Sequence, residues 1–106
     1  MAGKGSQSTY IACRKHPKAG LLFKVGVTQH VYGRCIALCA KLVVGGLPET
    51  LERELLAELD ASRVWRKNEQ GEPVGPMPMF HAPSEWFYPS SEVLGRIEQL
   101  VREPAR

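Results

Sequence analysis

Two short apolar runs stand near the start of the chain, Tyr10-Ile11-Ala12-Cys13 and Leu21-Leu22-Phe23-Lys24-Val25-Gly26-Val27-Thr28. Thr9 to Arg14 and Leu21 to Thr28 are rich in β-formers and predict two strands. His16-Pro17-Lys18-Ala19-Gly20 reads as a turn between them, so the strands should pair antiparallel. Gly26 inside the second strand predicts a bulge or a close approach to the backbone. From Thr28 the period lengthens. Thr28 predicts an N-cap, and a helix follows to about Lys41. Val31, Cys35, Leu38 and Leu42 form one stripe, with Tyr32, Ile36 and Cys39 beside it, and His30, Gly33, Ala37 and Lys41 fall opposite. Arg34 lies at the edge of the apolar face, where its stem can be covered while its guanidinium faces a cleft. Leu42-Val43-Val44 fits either more helix or a third short strand, and Gly45-Gly46 then breaks the chain.

Pro48, Glu49 and Glu52 suit a helix N-terminus, and a second helix is expected from Pro48 to about Ser62. Its buried face is Leu51, Leu55, Leu56 and Leu59. Glu52 falls inside that arc. A carboxylate on an apolar face is costly unless paired or bound to a metal. The pairing alternative is Arg34 or Arg63. Trp65 to Pro83 is polar and proline-rich and reads as a long loop, either functional or mobile. Glu85-Trp86-Phe87-Tyr88 predicts a short aromatic strand stopped by Pro89. Ser90 or Ser91 should cap a last helix. Val93, Leu94, Ile97, Leu100 and Val101 form its apolar stripe, which carries no charge and reads as structural. The expected fold is α+β: a small antiparallel sheet of about three strands flanked by three helices. Residues 1–8 read as a disordered leader, 9–102 as a single domain and 103–106 as a tail.

At 106 residues the chain can bury a core without disulfide staples. A net charge of +3 permits nucleic-acid contact without demanding it. No eighteen-residue apolar run exists, so no transmembrane helix is expected. Met1 to Ser8 lacks the apolar region of a secretory signal. Cys13, Cys35 and Cys39 make an odd count with no CxxC pair, which suits a reducing, cytoplasmic setting. His16 or His30 could join them at zinc, but the spacing is not that of known zinc modules. No GxSxG or P-loop motif occurs.

Taken in order, these pieces resemble the GIY-YIG nuclease superfamily, and within it the small viral and fungal branch of the meiotically up-regulated type. Lys24-Val25-Gly26-Val27-Thr28 stands for the branch's Lys-Ile-Gly-x-Thr signature, and Tyr10-Ile11-Ala12 for the first signature. Arg34 follows at the spacing of the superfamily's helix arginine. Glu52, Leu56, Leu59 and Arg63-Val64 follow the branch's glutamate helix, and Glu85-Trp86-Phe87 its closing Glu-Trp-Phe. The likeness spans roughly residues 9 to 100.

The resemblance implies a metal-dependent endonuclease acting on DNA phosphodiesters. Tyr10, Lys24, Arg34 and Glu52 would be catalytic, with Glu52 as ligand to Mg²⁺ or Mn²⁺. Lys24, His30, Arg34 and Lys41 would contact nucleic acid. Lys24 stands where catalytic members carry a second tyrosine, and a lysine does not replace a phenol in geometry or proton transfer. The alternative is therefore an inactive module that binds nucleic acid or a protein partner. A viral (phage) regulator acting through the Pro73 to Pro83 loop is one version. The expected state is a monomer or a homodimer, since a domain this short would need a partner subunit or a symmetric dimer to cut both strands; no membrane association is expected.

Overall fold

The computed structural model describes residues 6–75 and 85–103. The fold is α+β, with a four-stranded antiparallel sheet, a small two-stranded sheet and three helices. The strands are β1 (Ser8–His16), β2 (Gly20–Thr28), β3 (Lys41–Leu47), β4 (Arg66–Lys67), β5 (Pro73–Val74) and β6 (Trp86–Phe87). The helices are α1 (Val31–Ala37), α2 (Leu51–Glu58) and α3 (Ser91–Arg102). The main sheet runs β3-β1-β2-β6, and β4 pairs with β5 alone.

The first hairpin forms as expected, with Tyr10 opposite Gly26 and Ala12 opposite Lys24. Successive strand residues point to opposite faces, so this register sets two environments. Ile11, Phe23, Val25, Leu47 and Phe87 pack on one face against leucines of α2 and the apolar stripe of α3. Tyr10 and Ala12 pack on the other face against Cys35 and Leu38. Leu22 and Trp86 continue that second face against Val64 and Trp65.

Several boundaries differ from those expected. The sheet has four strands rather than about three, because Leu42-Val43-Val44 belongs to β3, while the expected aromatic strand is present as β6 on the other edge. The first helix ends at Ala37, well before Lys41. Cys39 adopts a left-handed φ of 55° there. Its N–H donates to the Ile36 carbonyl and that of Ala40 to the Cys35 carbonyl, which closes the helix in a Schellman motif. Glycine is the usual residue at that position, so a cysteine left no stop signal in the sequence. Nor is Thr28 the N-cap, a place His30 takes; the Thr28 hydroxyl instead accepts from the His30 N–H at 3.0 Å. Gly45-Gly46 does not break the chain but lies inside β3, where the register with β1 shifts twice and Gly46 takes a φ of +70°. These are bulges.

The second helix starts at Leu51, not Pro48, and gives way after Glu58 to a 3-10 turn over Asp60–Ser62. Leu51, Leu55 and Leu59 are buried as expected, and Leu56 partly so. Ser90 caps α3, accepting from the Val93 N–H at 3.2 Å. Only Val93, Ile97 and Leu100 of its stripe are buried; Leu94 and Val101 are exposed. The expected loop from Trp65 contains the β4–β5 hairpin, with Pro73 on a strand that has one neighbour only, where its missing N–H costs nothing. The rest of that loop, residues 76–84, lies outside the described residues, as do 1–5 of the expected leader and 104–106 of the tail. Ser8 belongs to β1 rather than to a leader. No helix among the described residues is long and apolar enough to cross a membrane.

Candidate functional site

The register places Tyr10, Ala12, Lys24 and Gly26 on one face, in the middle of the sheet. Gly26 is where a close approach was expected, and it is the Tyr10 ring that makes it. A Cβ at Gly26 would stand 2.7 Å from the phenol oxygen and 2.8 Å from the ring carbons. Glycine at 26 is therefore what lets the tyrosine lie flat across β2. The ring is completely buried.

Lys24 is also buried, at 1 % exposure, although a solvated strand lysine is the common case. Its ammonium lies 5.8 Å from the centre of the Tyr10 ring and forms an ion pair with Glu85. Glu85 directly precedes β6, and Trp86 pairs with Lys24 across the sheet. The end of that short edge strand thus brings the carboxylate to the lysine.

Burial pushes the Tyr10 phenol up to about 12. The guanidinium of Arg34 pulls the other way, while Cys35 and Glu85 add to the rise. The Tyr10 hydroxyl makes no hydrogen bond of ordinary geometry to any described residue, so Arg34 acts on it mainly through charge. Arg34 comes from α1, half-buried on the helix edge.

Glu52 sits in the first turn of α2 and is half-buried. Burial raises its pKa, and the Glu85 carboxylate raises it further; Lys24 and Arg53 oppose both. Arg63, one of the partners considered for it, instead pairs with Asp60 at 2.8 Å. A groove of about 310 Å³ opens beside Glu52, lined by Gln7, Val27, Glu49, Thr50 and Arg53.

Of the four expected residues, Tyr10 and Lys24 lie together on the face that α1 covers, with Arg34 acting on Tyr10, while Glu52, on α2 against the other face, is coupled through charge to Lys24 and Glu85. Two further contributors were missed. Glu85 links the others, but nothing local in Glu-Trp-Phe marks it as a partner for a lysine 61 positions away. Thr9, fully buried, anchors the start of α2: its hydroxyl donates to the Pro48 carbonyl at 2.7 Å and accepts from the Glu52 N–H at 3.1 Å. It fixes where Glu52 stands. A lone threonine in a strand carries no signal of that role.

His30 and Lys41, expected to contact nucleic acid, lie on the surface, His30 at the start of α1 and Lys41 on β3, the edge strand two positions away from β2. Cys13, Cys35 and Cys39 do not form a metal centre with either histidine; no three His, Cys, Asp or Glu side chains come together among the described residues. The three thiols are free, and burial pushes that of Cys35 up.

The chain is an α+β domain that holds charged side chains buried or half-buried about its main sheet. No family model, curated protein or solved structure matches the chain.

Proposed function

We propose that this protein is a metal-dependent endonuclease of DNA, with Tyr10, Lys24, Arg34 and Glu52 as its reactive groups. The observation that supports it is their linkage through charge: Lys24 lies beside the Tyr10 ring, Arg34 acts on the Tyr10 phenol, and Lys24 and Glu85 act on Glu52. Arg34 and Lys24 are cations suited to phosphate oxygens. Tyr10 keeps its proton at neutral pH, since its pKa is about 12. Its hydroxyl therefore does not attack as phenolate, and the fully buried ring underlies the site. Glu52 offers the hard oxygen donors that Mg²⁺ or Mn²⁺ prefers, and a cation there would oppose the burial and the Glu85 charge that raise its pKa. Such a cation, when bound, would offset charge developing on the phosphate. Free thiols at Cys13, Cys35 and Cys39 support a cytoplasmic setting.

A second reading, a binding module without nuclease activity, is favoured by one observation. The Lys24 ammonium is already held by Glu85, and no second tyrosine takes its place. A cleavage assay separates the two. Wild type, Arg34→Ala and Glu52→Gln would each meet supercoiled and branched DNA with magnesium, with manganese and with EDTA. The nuclease reading expects metal-dependent nicking that falls by about 100-fold or more in both variants. Binding that persists in EDTA, with no cutting under either metal, would establish the second reading.

A further inference from the structure

A concavity of about 430 Å³, outside the site above, is lined by Asp60, Arg63, Trp65, Arg66 and Lys67. Asp60 is the one carboxylate on its wall among the described residues. It holds the Arg63 guanidinium at 2.8 Å, and Arg66 donates to its backbone carbonyl at 2.6 Å. Two guanidinium groups are thereby positioned on one rim, with the exposed Lys67 next along β4. The β1–β2 turn lies against this segment, because the His16 ring meets the Trp65 indole edge-on at 5.9 Å. That turn is itself fixed: His16 Nδ1 accepts from the backbone N–H groups of Lys18 and Ala19. It carries the exposed Lys18. Two chain segments some fifty residues apart thus bring cations together at the hairpin end of the sheet, away from the α2 end that holds Glu52.

We infer that this concavity is a second binding site, for the phosphates of a nucleic-acid backbone, with Arg66 and Lys67 on its wall and Lys18 flanking it. The inference rests on the reading of the protein as one that engages nucleic acid, and it adds where the strand runs beyond the reactive groups. Cations that touch only phosphate position a strand without reading its sequence. Their loss weakens binding across all sequences and lowers its salt dependence.

The test uses the full chain and a fluorescent duplex, with affinity measured by anisotropy from low to physiological salt. Lys18→Glu/Lys67→Glu reverses two charges whose side chains make no hydrogen bond to a described residue, so the fold should survive; Arg66→Ala is the second variant. The expected result is affinity lower by about tenfold or more in the double variant, with the salt slope reduced by about two. Cleavage at saturating DNA should be unchanged. Unchanged affinity and slope in a folded double variant would overturn the second site while leaving the nuclease reading intact. Wild type that binds no DNA, or that prefers polyglutamate to DNA, would overturn both. DNA binding lost in the variants, in a wild type that never cuts, would support this site and overturn only the cleavage reading.

Discussion

The two faces of the main sheet are built by the same strands and both bury apolar side chains, but only one of them also buries the Lys24 charge. Beneath α2 and α3, Ile11, Phe23, Val25 and Phe87 meet Leu55, Leu59, Val93 and Ile97 in an apolar layer. On the other face the same β1 and β2 place a buried phenol and a buried ammonium side by side. Period-two alternation is the whole cause: Ile11 and Val25 point one way, Tyr10 and Lys24 the other. The apolar face stabilises by excluding water from close-packed side chains. The polar face spends part of that stability on desolvated charge, since taking Lys24 and Glu85 out of water offsets much of their attraction. Buried charge kept at such a cost is a common mark of a functional site, though structural ion pairs also do this.

The comparison is sharpest where stability is measured. Leu55→Ala, at a fully buried position in the apolar layer, should cost about 3–4 kcal/mol in denaturant unfolding. Lys24→Met, equally buried on the other face, should change stability by less than about 1 kcal/mol, because the desolvation penalty leaves with the charge and Glu85 is partly open to water. A loss as large as that of Leu55→Ala would show that the ion pair holds the sheet together, and the contrast between the faces would fail.

Gly26→Ala probes the packing of the polar face. Its new methyl would overlap the Tyr10 ring, and the ring is sealed in, so a loss of about 1–3 kcal/mol is expected. In the Tyr10→Ala background the same substitution should cost much less than it does alone, since the two positions are coupled. Additive losses would mean that the ring moves aside freely.

The smallest effect is electrostatic. The folded state raises the pKa of Glu52, so it binds the proton more tightly than the unfolded chain does. Stability therefore falls as pH rises through that folded pKa, and the penalty vanishes below the 4.5 of an ordinary glutamate. Glu52→Gln should accordingly raise the melting temperature at pH 7 and leave it unchanged below pH 4.5. The opposite sign at pH 7 would show that the Glu52 carboxylate is net stabilised by Lys24 and Arg53.

Periodicity and turn residues determined a good deal by themselves. The β1–β2 hairpin, the leucine face of α2, a serine cap at Ser90 or Ser91 and the α+β class follow from local rules, because a strand alternates and a helix turns whatever surrounds it. The glutamate at 52 also stood out, as a charge inside an apolar arc. Other features depended on contacts that no window of sequence contains. Leu42-Val43-Val44 became a strand because β1 had an open edge to pair with. Cys39 ended α1 in a conformation that glycine usually takes. The pairing of Lys24 with Glu85 and the anchoring of Glu52 by Thr9 span 61 and 43 residues. Such contacts come from the closing of a particular sheet, which sets distances between side chains that are remote in the chain. The residue types at the site were thus visible in the sequence, while their burial, their partners and their shifted proton affinities were decided by the tertiary fold.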